Sequence, residues 1–317
     1  MRKLALPAIL LAAAAVASAA AADRTISSPG QVRALARSGY SVAFLSGPYD
    51  GHCGPRVIFW SLVTRGVYPL GRRPYLLCRG RPSTGSGITN IAVAGNRALW
   101  LAYAGGNLRD WILETATTTR PAERRLEFRE VNVDAPPPIV LGVASELVVP
   151  YSIGSTVKVL RANGSRAYTW NAPGRVTNTT SYSVNVAAFV AGGRCYVLSR
   201  TGTVQQTYTF PPGSVQEFAL ARLGLVVQLT GGRIEIRNGS SVRRLTLPAG
   251  ARMLDYAEGI LLYKLGAQIR ARRVSTGKDV FLRNATFAVL EHNGLSYAVG
   301  RRVSSVAMVN VLARLAG

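Results

Sequence analysis

Short apolar bursts separated by tight turns set the pattern of this chain. Residues 91–94 form an apolar run, Gly95-Asn96 a turn, residues 98–103 a second run, Gly105-Gly106-Asn107 a turn, and residues 111–117 a third run. Runs of this length joined by two- or three-residue turns of Gly and Asn predict antiparallel hairpins. The same unit recurs at residues 141–164, 187–210, 218–239, 254–278 and 287–311. Each copy has a small-residue strand, a tight turn, a more apolar strand, a Gly turn and an amphipathic strand. A looser copy comes first: residues 41–45, a long turn holding His52 and Cys53, residues 56–62, a turn at Gly66, and residues 74–78.

From the second unit on, the first turns fall at Asn96, Glu146, Gly193, Gly224, Gly259 and Gly294, between 31 and 50 residues apart. That period suits a four-stranded propeller blade. Fourth strands fit at residues 125–128, 166–170, 242–247 and 279–282, while the last copy has none of its own. Thr25-Ile26, ahead of the first copy, is placed to supply it and close the ring, which removes exposed sheet edges. Inner runs such as 91–94 are apolar on both faces, as a strand covered on both sides requires, and outer runs such as 233–237 alternate. No stretch after residue 22 shows helical periodicity with caps; the nearest is 31–37. Residues 135–138 (Ala-Pro-Pro-Pro) read as a stiff inter-blade connector.

The expected fold is therefore all-β: one β-propeller over residues 23–317, with seven blades of four antiparallel strands and an N-terminal closing strand. On this repeat period and strand order the chain resembles the broad group of secreted bacterial β-propellers, similar to the TolB-like and WD-repeat-like superfamilies. The resemblance spans roughly residues 25–317. It lacks the specific signatures: no Trp-Asp ends a blade, and there is no Ser-x-Asp-x-Gly-x-x-x-Trp box or Tyr-Trp-Thr-Asp block. No functional residue carries over with it.

Residues 1–22 change the address. Arg2 and Lys3 precede an apolar stretch too short to span a bilayer, then Ala17-Ser18-Ala19 and Ala20-Ala21-Ala22. This is a cleavable signal peptide, cut after Ala19 or Ala22, with no Cys nearby to accept a lipid. The mature chain is expected outside the cytoplasm, soluble and monomeric. Cys53 and Cys78 are then expected to form a disulfide, since secreted chains rarely leave two nearby thiols free. Cys195, in a strand-like run, reads as a small buried hydrophobe.

Charge is the extreme quantity. The formal net charge is +23, or +21 once Arg2 and Lys3 leave with the leader, and it is nearly all arginine. Lys appears only at positions 3, 158, 264 and 278. A phosphate- or carboxylate-rich partner follows as an expectation. Arg243, Arg244, Arg270, Arg272, Arg273, Arg301 and Arg302 are the candidate polyanion-binding residues. Few aromatics interleave with them, which disfavours specific single-stranded nucleic-acid binding.

Catalytic chemistry is thinly supplied. Of the two histidines, His292 falls in a turn, and His52, with Asp50 and Cys53, lacks a second ligand cluster, so no metal site is assigned. No G-x-S-x-G elbow, phosphate loop or dinucleotide fingerprint occurs. Glu123, Glu127, Glu130 and Asp134 interleave with arginines, as on a solvated face. Asp110, Glu146, Asp255 and Glu258 sit near turns of different blades, where they would meet at a rim. The expected function is a non-enzymatic binding or scaffold module without cofactor, engaging a protein or an anionic cell-envelope polymer. The alternative is an extracellular hydrolase or lyase with its site at the channel mouth.

Overall fold

Alternate residues of a strand point to opposite faces, and here each face of each sheet meets a different neighbour. The computed structural model describes residues 23–47, 55–71 and 86–316, which form seven four-stranded antiparallel sheets. The expected signal peptide and Asp50, His52, Cys53 and Cys78 lie outside the described residues.

Strand β1 (Arg24–Ser27) belongs to the last blade. Blade 1 is β2 (Val32–Ser38), β3 (Ser41–Ser46), β4 (Arg56–Ser61) and β5 (Val67–Leu70). Blade 2 is β6 (Ser86–Ala94), β7 (Arg97–Gly105), β8 (Leu108–Thr117) and β9 (Arg120–Asn132). Blade 3 is β10 (Ile139–Leu141), β11 (Val148–Ile153), β12 (Thr156–Arg161) and β13 (Arg166–Asn171). Blade 4 is β14 (Val176–Tyr182), β15 (Asn185–Val190), β16 (Arg194–Leu198) and β17 (Val204–Thr209). Blade 5 is β18 (Val215–Ala221), β19 (Gly224–Leu229), β20 (Arg233–Asn238) and β21 (Ser241–Thr246). Blade 6 is β22 (Ala251–Ala257), β23 (Ile260–Leu265), β24 (Gln268–Arg273) and β25 (Asp279–Asn284). Blade 7 is β26 (Phe287–Glu291), β27 (Gly294–Val299) and β28 (Arg302–Ala307), completed by β1.

The ring closes as the sequence predicts: Thr25 pairs with Ser304 and Ile26 with Val303. The core follows the same logic seven times, with one buried apolar cluster at each blade–blade interface. In β15, Val186, Ala188 and Val190 pack toward blade 3, while Ala187 and Phe189 pack toward blade 5. A one-residue slip would exchange the two interfaces, so the register of every second strand is tightly specified.

Residues 31–37, too short for a helix, lie from Val32 on in β2, the innermost strand of blade 1. Two expectations are corrected. Blades 1 and 4 each begin one strand earlier than the repeat suggested: β14 precedes β15, and the first turn of blade 4 is at Ser183, not Gly193. Residues 74–78, expected to be the third strand of blade 1, lie outside the described residues; β4 and β5 fill the third and fourth places. A helix, α1 (Met308–Ala316), also follows β28 where strand was expected through residue 311. Its Met308, Val311 and Leu315 are buried against Ile269, Leu282, Leu295 and Val306 of blades 6 and 7.

Candidate functional site at the channel mouth

In antiparallel four-stranded blades, the turns joining first to second strands all emerge at one end of the ring. That rule brings residues from distant parts of the sequence to one mouth of the central channel. Glu146 stands in the first turn of blade 3, Ser183 in that of blade 4, Glu258 in that of blade 6 and His292 in that of blade 7. A cleft of about 180 Å³ opens there, lined by Glu146, Leu147, Tyr182, Glu291 and His292. A smaller pocket adjoining it shares Tyr182, Glu291 and His292, and reaches Arg37, Thr180, Ser181 and Asp255. Val143 and Leu147 give the mouth an apolar side, at 53% and 48% exposed.

The carboxylates are not alike. His292 Nδ1 lies 3.0 Å from Glu291 Oε2, and its Nε2 lies 3.7 Å from Glu146 Oε1. The hydrogen bond to Glu291 holds the imidazole above its ordinary pKa against the opposing effect of burial, with the charges of Glu291, Glu146 and Glu258 adding to the rise. Burial pushes the Asp255 carboxyl up to about 7, although the backbone N–H groups of Tyr256 and Leu290 donate to it at 2.9 and 3.0 Å. Arg37, 4% exposed, is lowered to about 10 by burial, partly offset by Glu291, Tyr40 and Glu146. Its guanidinium donates to Ser296 (3.0 Å), Ser305 (2.8 Å) and Asn293 (2.9 Å), joining blade 1 to blade 7.

Asp255 has a structural counterpart elsewhere. The first strands of blades 1, 2, 4, 5 and 6 each carry a β-bulge, after which stand Ala34, Asn90, Asn178, Glu217 and Asp255. Asn90 and Asn178 accept from the next backbone N–H as Asp255 does. Asn90 also reaches Leu141 of blade 3, much as Asp255 reaches Leu290 of blade 7. With both oxygens held by backbone donors, Asp255 serves as a joint between blades rather than as a free acid.

The rim expected from Asp110, Glu146, Asp255 and Glu258 forms in part. Glu146 lines the cleft, Asp255 lines the smaller pocket that adjoins it, and Glu258 lies near enough for its charge to act on Tyr182 and His292. Asp110 lies in β8, the third strand of its blade, away from the mouth. Arg37, Tyr182 and Glu291 were missed. Placing the turns in register, so that Glu146, Ser183, Glu258 and His292 coincide, is the signal that would have found the mouth.

The candidate arginines do not form one patch. Arg243 donates to the Val274 carbonyl and Arg272 to that of Thr246 (3.0 Å), so blades 5 and 6 clasp each other. Arg244 bonds Glu235 at 3.2 Å, Arg270 bonds Asp279 at 2.9 Å, and Arg301 donates to the carbonyls of Ser28 and Pro29 at the ring seam. Arg273, half-buried, ends β24, and Arg302, exposed, begins β28. Nor is the acidic run of blade 2 wholly a solvated face. Glu127 turns inward to Lys158 (2.6 Å) and the Tyr151 hydroxyl (2.9 Å) of blade 3.

Among the described residues, no group of three or more His, Cys, Asp or Glu is placed to hold a metal ion, and no helix is long and apolar enough to cross a membrane. No family model and no curated protein matches the sequence. Solved structures do match in fold. A chain of the mitotic checkpoint complex has a TM-score of 0.56 at 12% identity, covering 90% of this chain and 94% of its own. The WD40 β-propeller domain of Doa1 gives 0.54 at 13% identity, with 91% and 96% covered. YCF48, solved bound to a D1 peptide, gives 0.55 at 9% identity, with 90% and 95% covered. At these identities the likeness is one of architecture alone, and by architecture this chain is a seven-bladed, ring-closed β-propeller.

Proposed function

We propose that this protein is an extracytoplasmic, non-catalytic binding module that takes a segment of a protein partner at the channel mouth. The observation that carries it is the cleft itself: apolar Leu147 and Tyr182 stand beside Glu146 and Glu291 where turns of three blades meet. Such a surface offers area to an aliphatic or aromatic side chain and carboxylates to a basic or N–H-bearing neighbour. That YCF48 is seen with a peptide supports the mode by analogy of fold alone. The signal-peptide reading of residues 1–22 supports the location.

A photo-crosslinking residue at Leu147 tests the site against one at Val204, an exposed position on an outer strand. The expected result is a discrete protein adduct from position 147 and none from 204. Adducts from 204 alone would move the binding face to the rim. Because His292 and Glu146 converge in the cleft, the hydrolase or lyase alternative has its own test: turnover of a glycoside, ester or peptide substrate that His292→Gln abolishes would replace the binding reading.

A further inference from the structure

Blades 3 and 7 are not neighbours in the ring, yet Glu146 of one and His292 of the other stand 3.7 Å apart. The Glu146 side chain reaches over the mouth closely enough that a Cβ added to Gly39 of blade 1 would overlap its carboxylate. The cleft that Glu146 lines shares Tyr182, Glu291 and His292 with the smaller pocket bounded by Arg37, Asp255 and Val289, so the contact stands where the two meet. We propose that Glu146 and His292 form a proton-operated bar across the channel mouth, closed when the imidazole is protonated and released when it is neutral. This regulation rests on the mouth being the binding face.

The chemistry follows from counting hydrogens. An imidazolium donates from both nitrogens, so Nδ1–H serves Glu291 while Nε2–H is directed to Glu146. A neutral imidazole that keeps its hydrogen on Nδ1 turns a lone pair toward the Glu146 carboxylate, and the attraction is lost. Glu291 and Glu146 face the ring directly; Glu258 acts from blade 6, with Arg37 of blade 1, Asp255 of blade 6 and Tyr182 of blade 4 around the same cleft. Three carboxylates favour the imidazolium, and the buried Asp255 carboxyl, pushed up to about 7, also takes a proton as pH falls, so acidification makes the mouth less anionic as the bar closes. Since the imidazole pKa is raised in the folded chain, the bar is fully present below the ordinary value of 6.5 and is lost as pH rises through the folded one.

Val289→Cys places a thiol in the smaller pocket, and its modification by a neutral maleimide is read by mass spectrometry of the peptide that contains it. Dividing by the rate in Val289→Cys/His292→Gln at each pH removes the thiol's own titration. The ratio is expected to rise about two- to five-fold between pH 5 and 8, the range for one partly exposed ion pair. A ratio that stays flat overturns the bar. In the otherwise unaltered protein, the His292 proton resonance should titrate at lower pH once Glu146→Gln is made; an unchanged midpoint also overturns it. Neither readout uses a partner, so failure of the binding reading appears separately, in the crosslinks from position 147.

Discussion

Three guanidinium groups converge on Glu235, whose side chain is only 4% exposed: Arg237 at 2.7 Å, Arg244 at 3.2 Å and Arg233 at 3.7 Å. Burial alone would raise its pKa, but hydrogen bonds from Arg237 and Arg244, with the charges of Arg237 and Arg233, bring it below the ordinary 4.5. A depressed carboxylate contributes stability above its unfolded pKa and loses it as pH falls through the folded one. Glu235→Ala is expected to cost about 1.5–3 kcal/mol in chemical denaturation at pH 7, because charge-assisted hydrogen bonds are lost while the partly exposed arginines return to water. Part of that deficit should vanish at acid pH, where the wild-type carboxylate is itself protonated. Other arginines act as clamps on carbonyls. Arg97 of blade 2 reaches Ala162 (3.1 Å) and Asn163 (3.0 Å) of blade 3, while Arg243, Arg272 and Arg301 do likewise elsewhere. A planar fork with several fixed donors suits two adjacent carbonyls better than an ammonium does. The arginine excess thus has structural work that composition alone did not reveal.

Elements were legible where their pattern is local. The hairpins of blade 2 and the fourth strands of blades 3, 5 and 6 fall where turn chemistry and alternation place them. β2 and β14 escaped because they are polar for innermost strands: Arg33 and Arg37 interrupt the first, and Thr179, Thr180 and Ser181 are buried in the second, so neither shows an apolar run. Helix α1 escaped because residues 302–311 are apolar at both periods; only burial against blades 6 and 7 selects the helical one. The closing strand was legible by subtraction, since the last unit lacked a fourth partner. It also carries a prediction. Thr25 and Ser304 are directly paired, with their hydroxyl oxygens 2.8 Å apart. Thr25→Cys/Ser304→Cys should form a disulfide that locks the ring, raising stability by about 2–4 kcal/mol. Denaturation with and without reductant measures it, and a reductant-insensitive midpoint would mean the seam is not where the molecule first opens.

At the scale of the whole molecule, the connections β3–β4 and β5–β6 leave blade 1 from the same end, opposite the cleft. In the sequence Cys53 falls between β3 and β4 and Cys78 between β5 and β6, both outside the described residues, and their disulfide is proposed on the signal-peptide reading. Mass mapping of the mature chain should recover the two peptides linked without reductant and separate with it. The net charge of +23 remains the reason to test anionic polymers. Because five of the seven named arginines are engaged with carbonyls or carboxylates, retention is expected to be weak and to collapse between low and moderate salt. Salt-resistant retention would show a built polyanion site instead. The sequence by itself determined the all-β class, the repeat and the ring closure, because turn chemistry, strand alternation and strand count are properties of neighbouring residues. Only the tertiary structure decided that Glu146 and His292 face each other, that Asp255 joins two blades, and that the arginines mostly clasp carbonyls. Those facts depend on which turn comes to which end of the ring, and on what burial leaves beside each charge.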